Sequence, residues 1–344
     1  ANTTASYGTA VGYDALTANT TGNSNAAVGR SSLAANTTGA TNTAMGQAAL
    51  QTNTTASGNS ALGYAALYAN TTGTQNVAVG ANALSVQTTG GYNVAVGYGA
   101  GDAMTTAEYS VAVGRNALGA ATTGGTNTAV GDSALAADTT GHSNTALGYG
   151  SLIANTTAVG NTAVGRDALL ANTTGHSSVA VGWASLDANT TGSSNTAVGT
   201  SSLGATTTGD LNVAVGTNAL QTNTVGDRST AVGYGALTLQ NPASNVDMNN
   251  VAVGLNAGAS VTTGTKSTLI GAEAGNSLTT GANCLFLGYQ SGMSGSPGGA
   301  ITTGSNDIAL GDENIDTANI QVDWTVASDK RDKTDVEPVK MGLE

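Results

Sequence analysis

Two histidines, one cysteine and 21 carboxylates are the chain's stock of side chains for metal, thiol or acid–base chemistry, spread over 344 residues. His142 and His176 occupy the same place in two copies of "TTGHS", two repeats apart. If repeats stack as β-strands do, that separation is about 10 Å, too long for one metal ion. They read as solvated turn residues, unless a symmetric assembly gathers three copies of one histidine at its axis. Cys284 has no partner for an intrachain disulfide and takes the place of a repeated Asn, as a small buried residue would. Asp132, Asp167 and Asp187 are single substitutions at turns, neither a paired acid–base site nor a calcium repeat. "GYGAGD" at 97–102 has the glycine density of a phosphate loop but lacks its Lys and helix. No metal site and no cofactor is expected.

Two patterns recur too often to be single sites. Asn-Thr-Thr begins at Asn2, Asn19, Asn36, Asn53, Asn70, Asn155, Asn172 and Asn189, each matching an N-glycosylation acceptor. Turn chemistry accounts for the same residues. The Thr pairs (Thr20-Thr21, Thr37-Thr38) would stack into ladders, but an ice-binding face needs a flat outward row of alternating Thr. Here the two are adjacent and run into a glycine turn. Both patterns read as structure.

What positions these residues is a repeat. The glycine closing an "AVG"-like segment falls at Gly12, Gly29, Gly46 and onward to Gly233 at unbroken intervals of 17, then at Gly254, Gly271, Gly288 and Gly311. Such a period marks a stacked array, here of about eighteen coils reading "NTAVGxxALxANTTGxx". In "NVAVG", Val94 and Val96 point one way and Ala95 the other. A strand with β-branched residues on one face and Ala on the other expects to be covered on both. Leu16, Leu33, Leu50, Leu67 and Leu84 stack into one thin core. Asn25, Asn42, Asn59, Asn76 and Asn93 stack into an amide ladder bonding the next coil. Gly22, Gly39, Gly73, Gly141, Gly175 and Gly192 supply positive φ at a tight turn. Seventeen residues accommodate two short strands and two turns, and eighteen coils make a rod of roughly 85 Å. So narrow a coil buries little by itself, and three coils sharing their small-residue faces as a homotrimer would bury more. Insertions at 237–250 and 292–301 become surface loops, and Gly258, Gly275 and Gly292 replace the core Leu as though the cross-section changes. The fold class is all-β, a parallel β-solenoid or β-roll.

Composition limits the partners. The 49 glycines, 9% charged residues and single Phe suit a thinly cored β structure rather than a two- or three-domain globule. Residues 1–316 carry 15 acids against 5 bases, which disfavours nucleic acid. No apolar run approaches the roughly 18 residues of a membrane span, so no membrane insertion is expected.

The repeat resembles the β-roll heads of trimeric autotransporter adhesins and, more closely, the repeats of phage tail fibres. The resemblance covers about nine-tenths of the chain and speaks to architecture more than activity. The chain then changes character. Residues 317–327 bring Trp324 and a fresh strand pattern, and four of nine basic residues fall in 326–344. "SDKRDKTDVEPVKMGLE" at 328–344 resembles the opening of an endosialidase-type intramolecular chaperone domain, matching at Ser328, Asp329, Arg331 and Lys333, and Pro338 suits the first turn of a following helix. That family trimerises its fibre and cuts itself off. By the resemblance Ser328 is the nucleophile and Lys333 its base, acting in autocleavage only, as a partly desolvated amine can activate a hydroxyl. The short match and the start at Ala1 lead one to expect a piece of a longer precursor.

The expected organisation is therefore a rod over 1–316, a transition at 317–327 and the start of a chaperone at 328–344. The expected role is structural and adhesive, without enzymatic activity beyond that autocleavage: a virion tail fibre, extracellular, partnered with its own copies, with other tail or baseplate proteins and with a host-surface glycan or protein. The alternative is a bacterial trimeric surface adhesin or extracellular filament with the same β-roll.

Overall fold

The computed structural model of the chain describes residues 3–296 and 298–317. Among the described residues, eighteen strands of three residues, from β1 (Thr9–Val11) to β18 (Ile308–Leu310), form one parallel sheet. Each strand pairs with the next along the chain, in register: Ala10 lies beside Ala27, and Ala95 beside Ala112. The chain is an all-β parallel solenoid with a 17-residue period, and the described residues contain no helix.

The middle residue of each strand points inward. Ala27, Ala44, Ala78 and Ala95 are wholly buried and join Leu33, Leu50, Leu67 and Leu84 in one core along the rod. The outer residues of the strands are half-buried or exposed, so the alternation read from "NVAVG" holds. The small-residue face is the inside of the coil and cannot be the face that copies share; the β-branched face is the one left outside.

Only one strand forms per coil, not two. The "AL" segment is a run of turns in which the core leucines take left-handed φ, 50° at Leu33 and Leu50, 51° at Leu67 and 52° at Leu84. A strand would send adjacent Ala and Leu to opposite faces, yet Ala49 and Leu50 are both fully buried. The left-handed residue curls the chain so that both point inward. Its cost of roughly 1–2 kcal/mol is offset by burying the Leu side chain, worth about 1.5–3 kcal/mol, and by the Leu50 N–H bond to the Ala66 carbonyl, 3.0 Å.

The glycines divide their work differently from expectation. The strand-closing glycines from Gly12 to Gly271 hold φ between 129° and 143°, closed to side-chain-bearing residues. Gly22 and its equivalents, expected at positive φ, do not have it. They are glycine because a Cβ at Gly22 would collide with the Gly39 carbonyl one coil along.

Two amide ladders run inside the coil. The Asn42 N–H donates to Asn25 Oδ1 at 2.9 Å, and Asn42 Nδ2 donates to the Ala56 carbonyl at 2.9 Å, the pattern expected of this Asn series. The second ladder is the Asn of Asn-Thr-Thr. Asn36 Nδ2 donates to Asn19 Oδ1 at 2.8 Å and to the Gly39 carbonyl at 2.9 Å, and Asn53 repeats this on Asn36.

The coils that lack the core Leu are refilled, so the cross-section persists. At Gly101 the gap is taken by Met104, standing where the ladder Asn would be. Gly258 and Gly275 face Leu269 of β16 (Thr268–Ile270), and Gly275 and Gly292 face Phe286 of β17 (Leu285–Leu287). Core volume has moved from turn to strand. The insertions leave the ladder intact: Thr230 still pairs with Val251, and Leu285 with Ile308. The first loop is pinned by buried Pro242 and Met248 and by the Arg228–Asp247 ion pair at 2.8 Å.

Candidate functional site

A coil this narrow has no interior to spare, so whatever the rod recognises must lie on its outside. Among the described residues no group of three or more His, Cys, Asp or Glu is placed to hold a metal, and the surface depressions are shallow grooves of about 310–430 Å³. His142 and His176 are exposed, each with Nδ1 beside the hydroxyl of the next serine, Ser143 and Ser177. Cys284 is buried, its backbone N–H bonded to Ser267 Oγ at 3.2 Å and its thiol 3.4 Å from the Gly304 carbonyl. Ser328 and Lys333, like the rest of 318–344, lie outside the described residues, as does Asn2.

The glycosylation pattern has no access. From Asn19 to Asn189 these side chains are 0–4% exposed and their amides are committed to the ladder. The first Thr of each pair is likewise engaged, Thr37 Oγ1 donating to the Thr54 carbonyl at 3.0 Å. A hydroxyl already spent on the neighbouring coil is not free to template ordered water.

One carboxylate is set apart. Asp138 takes the place of a ladder Asn and is fully buried. It accepts hydrogen bonds from the Gly141 N–H (3.0 Å), Asn155 Nδ2 (3.1 Å) and Asn127 Nδ2 (3.3 Å). Burial outweighs these donors and pushes its pKa up to about 6. It faces only ladder amides and the turn backbone, so it acts on stability, not on a substrate.

Two outer faces stand out. The first is the sheet. Its third-strand residues run Val11, Val28, Met45, Leu62, Val79, Val96 and so on to Leu310, apolar in all eighteen strands and nowhere fully buried. Met45, Leu62, Leu147 and Ile270 are each more than two-fifths exposed.

The second face was missed in reading the sequence. It is the position just after the strand-closing glycine, occupied by Tyr13, Tyr64, Tyr98, Tyr149, Trp183, Tyr234 and Tyr289, all 55–74% exposed. Arg30, Arg115 and Arg166 fall in the same column. Arg115 pairs with Asp132 one coil along at 2.9 Å, and the Arg166 guanidinium lies 5.6 Å above the Tyr149 ring. Aligning repeats on the glycine and reading one residue further would have exposed it. No known protein family matches the chain, and no curated protein matches it.

Proposed function

We propose that this chain is the subunit of a structural and adhesive fibre, the shaft or distal part of a phage tail fibre that attaches to a host surface. One observation carries the reading: the unbroken apolar stripe on the outer face of the sheet. An apolar row that is half-buried or exposed in every strand along a rod of roughly 85 Å calls for a cover that is itself equally long. A second and third copy of the same chain, in the same register, supply one. The rod is then a homotrimer closed on its β-branched faces, with the turn edges outside. In the same reading the tail at 328–344 begins a chaperone that assembles the trimer and leaves by cleavage, with Ser328 as nucleophile and Lys333 as base. Other tail or baseplate proteins hold one end, and a host-surface glycan or protein meets the exposed edges.

Light scattering tests the assembly. A particle of about three times the 33.2 kDa chain mass is expected, and replacing Val96, Val113 and Val130 together by Lys should reduce it to the single-chain mass. A wild-type monomer would refute the shared face. In a chain carrying the complete tail domain, Ser328→Ala should leave the C-terminal piece attached; release that continues unchanged would remove the nucleophile.

A further inference from the structure

Beside the aromatic column runs a second one whose residues hold left-handed φ, 59° at Asn82, 61° at Gly99 and 51° at Asn256, a conformation that itself favours Gly, Asn and Asp. Five of the seven aromatics are followed by a small residue, in Tyr64-Ala65, Tyr98-Gly99, Tyr149-Gly150, Trp183-Ala184 and Tyr234-Gly235, whereas Asp14 follows Tyr13 and Gln290 follows Tyr289. One coil along, the residue level with that small one is polar: Asn82, Asn116, Asp167, Ser201 and Asn256. The placement is fixed by the backbone. The N–H of Asn82 bonds the Tyr64 carbonyl at 2.9 Å, that of Asn116 the Tyr98 carbonyl at 3.0 Å, and that of Asn256 the Tyr234 carbonyl at 2.8 Å. A Cβ at Gly99 or Gly235 would run into the Oδ1 of Asn116 or Asn256, so at these two places glycine leaves the carboxamide its room. Grooves of about 360 Å³ open at two equivalent places ten coils apart, one lined by Tyr64, Asn82 and Tyr68, the other by Tyr234, Asn256 and Leu239.

A flat, half-exposed ring beside a free amide is the pairing that a sugar ring needs. The electron-rich face of the aromatic attracts the C–H face of a pyranose, while the amide or hydroxyl bonds its equatorial hydroxyls. Tyr64, Tyr98, Trp183 and Tyr234 stand two, five and three coils apart in turn, about 10, 24 and 14 Å at the strand spacing of a parallel sheet. An extended chain of sugars presents an equivalent ring face at comparable steps. The charges in the column select further. Arg30, Arg115 and Arg166 are matched by Asp14, Asp132 and Asp167 in the same two columns, and the rod as a whole is acidic, so nothing here attracts a polyanion.

We infer that this edge is a track for a neutral, extended polysaccharide lying along the rod, stacked on Tyr64, Tyr98, Trp183 and Tyr234 and hydrogen-bonded by the polar residue one coil further. Tyr149, whose ring is covered by Arg166, is not one of its platforms. The inference rests on the reading of the chain as an attachment fibre and names the class of surface it attaches to.

The test uses the full chain against xylan, mannan, mixed-linkage β-glucan and chitin, with alginate as the acidic comparison, in affinity electrophoresis and pull-down. At least one neutral polymer should retard the protein and alginate should not. Tyr64→Ala, Trp183→Ala and Tyr234→Ala should each weaken binding about threefold to tenfold, and the triple variant should abolish it. Tyr92→Ala and Tyr109→Ala, which remove the stacked pair on the opposite side of the strand (5.1 Å between centroids), should leave it unchanged. In a Trp324→Phe background, the bound polymer should shield Trp183 from acrylamide quenching. Failure to bind every neutral polymer, equal losses in the Tyr92 and Tyr109 variants, or preference for alginate overturns the track. So does a triple variant that falls apart in light scattering, since the column would then be an interface between copies. Absent polymer binding with an intact trimer removes the track and leaves the fibre reading standing; a monomer that still binds does the reverse.

Discussion

Asp138 offers the closest test of the ladder, because a single atom distinguishes it from the Asn that the repeat calls for. Its carboxylate is buried among donors that only partly compensate for lost hydration, and its pKa rises from 3.8 to about 6. In the unfolded chain the group keeps its ordinary value. Between those values the folded state therefore binds more proton than the unfolded one, and stability falls as pH rises from about 4 through about 6. At neutral pH the two pKa values differ by an amount equivalent to about 3 kcal/mol. Asp138→Asn removes this cost. The next coil already shows the arrangement the variant would adopt, with Asn144 and Asn155 Nδ2 both on the Ala158 carbonyl.

Because stacked repeats open locally, the suitable assay is native-state amide exchange over residues 135–158 rather than a global melting point. At pH 7.5 the variant should be protected roughly a hundredfold more than wild type. After correction for intrinsic exchange, the two should converge below pH 4. A difference between wild type and variant that is the same at both pH values would refute the argument, as would a variant less protected at pH 7.5. Other carboxylates titrate in both proteins and cancel in the comparison.

Four further outcomes follow from the packing. Gly101→Leu should cost about 1–3 kcal/mol by overpacking against Met104 and Leu84, and adding Met104→Asn should recover most of it; denaturation of the double-mutant cycle measures the coupling. Leu135→Ala should cost about 2–5 kcal/mol, read as faster amide exchange confined to its own and adjoining coils. Asn144→Ala strips the acceptor from the Asn161 N–H and a donor from the Ala158 carbonyl, and should cost about 1–3 kcal/mol by the same readout. Folded protein offered to an oligosaccharyltransferase should stay unmodified from Asn19 to Asn189, as judged by intact mass, whereas denatured chain should be modified.

Much of this fold is written in the spacing of a few residues. The 17-residue interval between glycines, Ala at the centre of nearly every strand and a Leu in most coils suffice to infer a stacked array with a thin core. Asn25 and its successors could be placed in a ladder because nothing else explains an amide recurring at that point in most coils, with Ser110, Ser178, Ser229, Ser267 and Cys284 in its place in others. The second segment was less legible, since "AL" reads equally as a short strand. Only the left-handed φ of Leu33 and Leu50 puts both residues inside, and intrinsic preference argues against that conformation for leucine. Asn36 and Asn53 were hidden by having two sufficient explanations already, a turn and a glycosylation pattern. The aromatic column was obscured by interruption. Between Tyr13 and Tyr64 stand Arg30 and Gln47, so the eye follows the constant columns and passes over the variable one. Ser328 and Lys333 rest on resemblance alone.

The near absence of charge also has a structural cause. In an in-register array, any charge placed at a repeated position meets its own copy one coil away, about 4.8 Å along the sheet. Two like charges at that distance repel by about 1 kcal/mol even in water, and over eighteen coils the cost accumulates. A repeat can carry Asn, Thr and Ala in every copy but Asp or Lys only in scattered ones. Where charges do occur in neighbouring coils they tend to be opposite, as Arg115 is to Asp132 and Arg228 is to Asp247. Like charges do meet at Asp167 and Asp187, where burial first and then the Asp167 charge push the Asp187 carboxyl up, and again one coil further on. Asp210 and Asp227 stand at one position in consecutive coils, and the Asp227 carboxyl is pushed up, by burial first and then by the Asp210 and Asp247 charges beside it. That strain is met by Arg228, which lowers the same carboxyl and ties the loop back through Asp247. Low charge is thus a condition of stacking identical coils, and it leaves the outer edges to neutral chemistry, in which rings, hydroxyls and amides are the groups available for recognition.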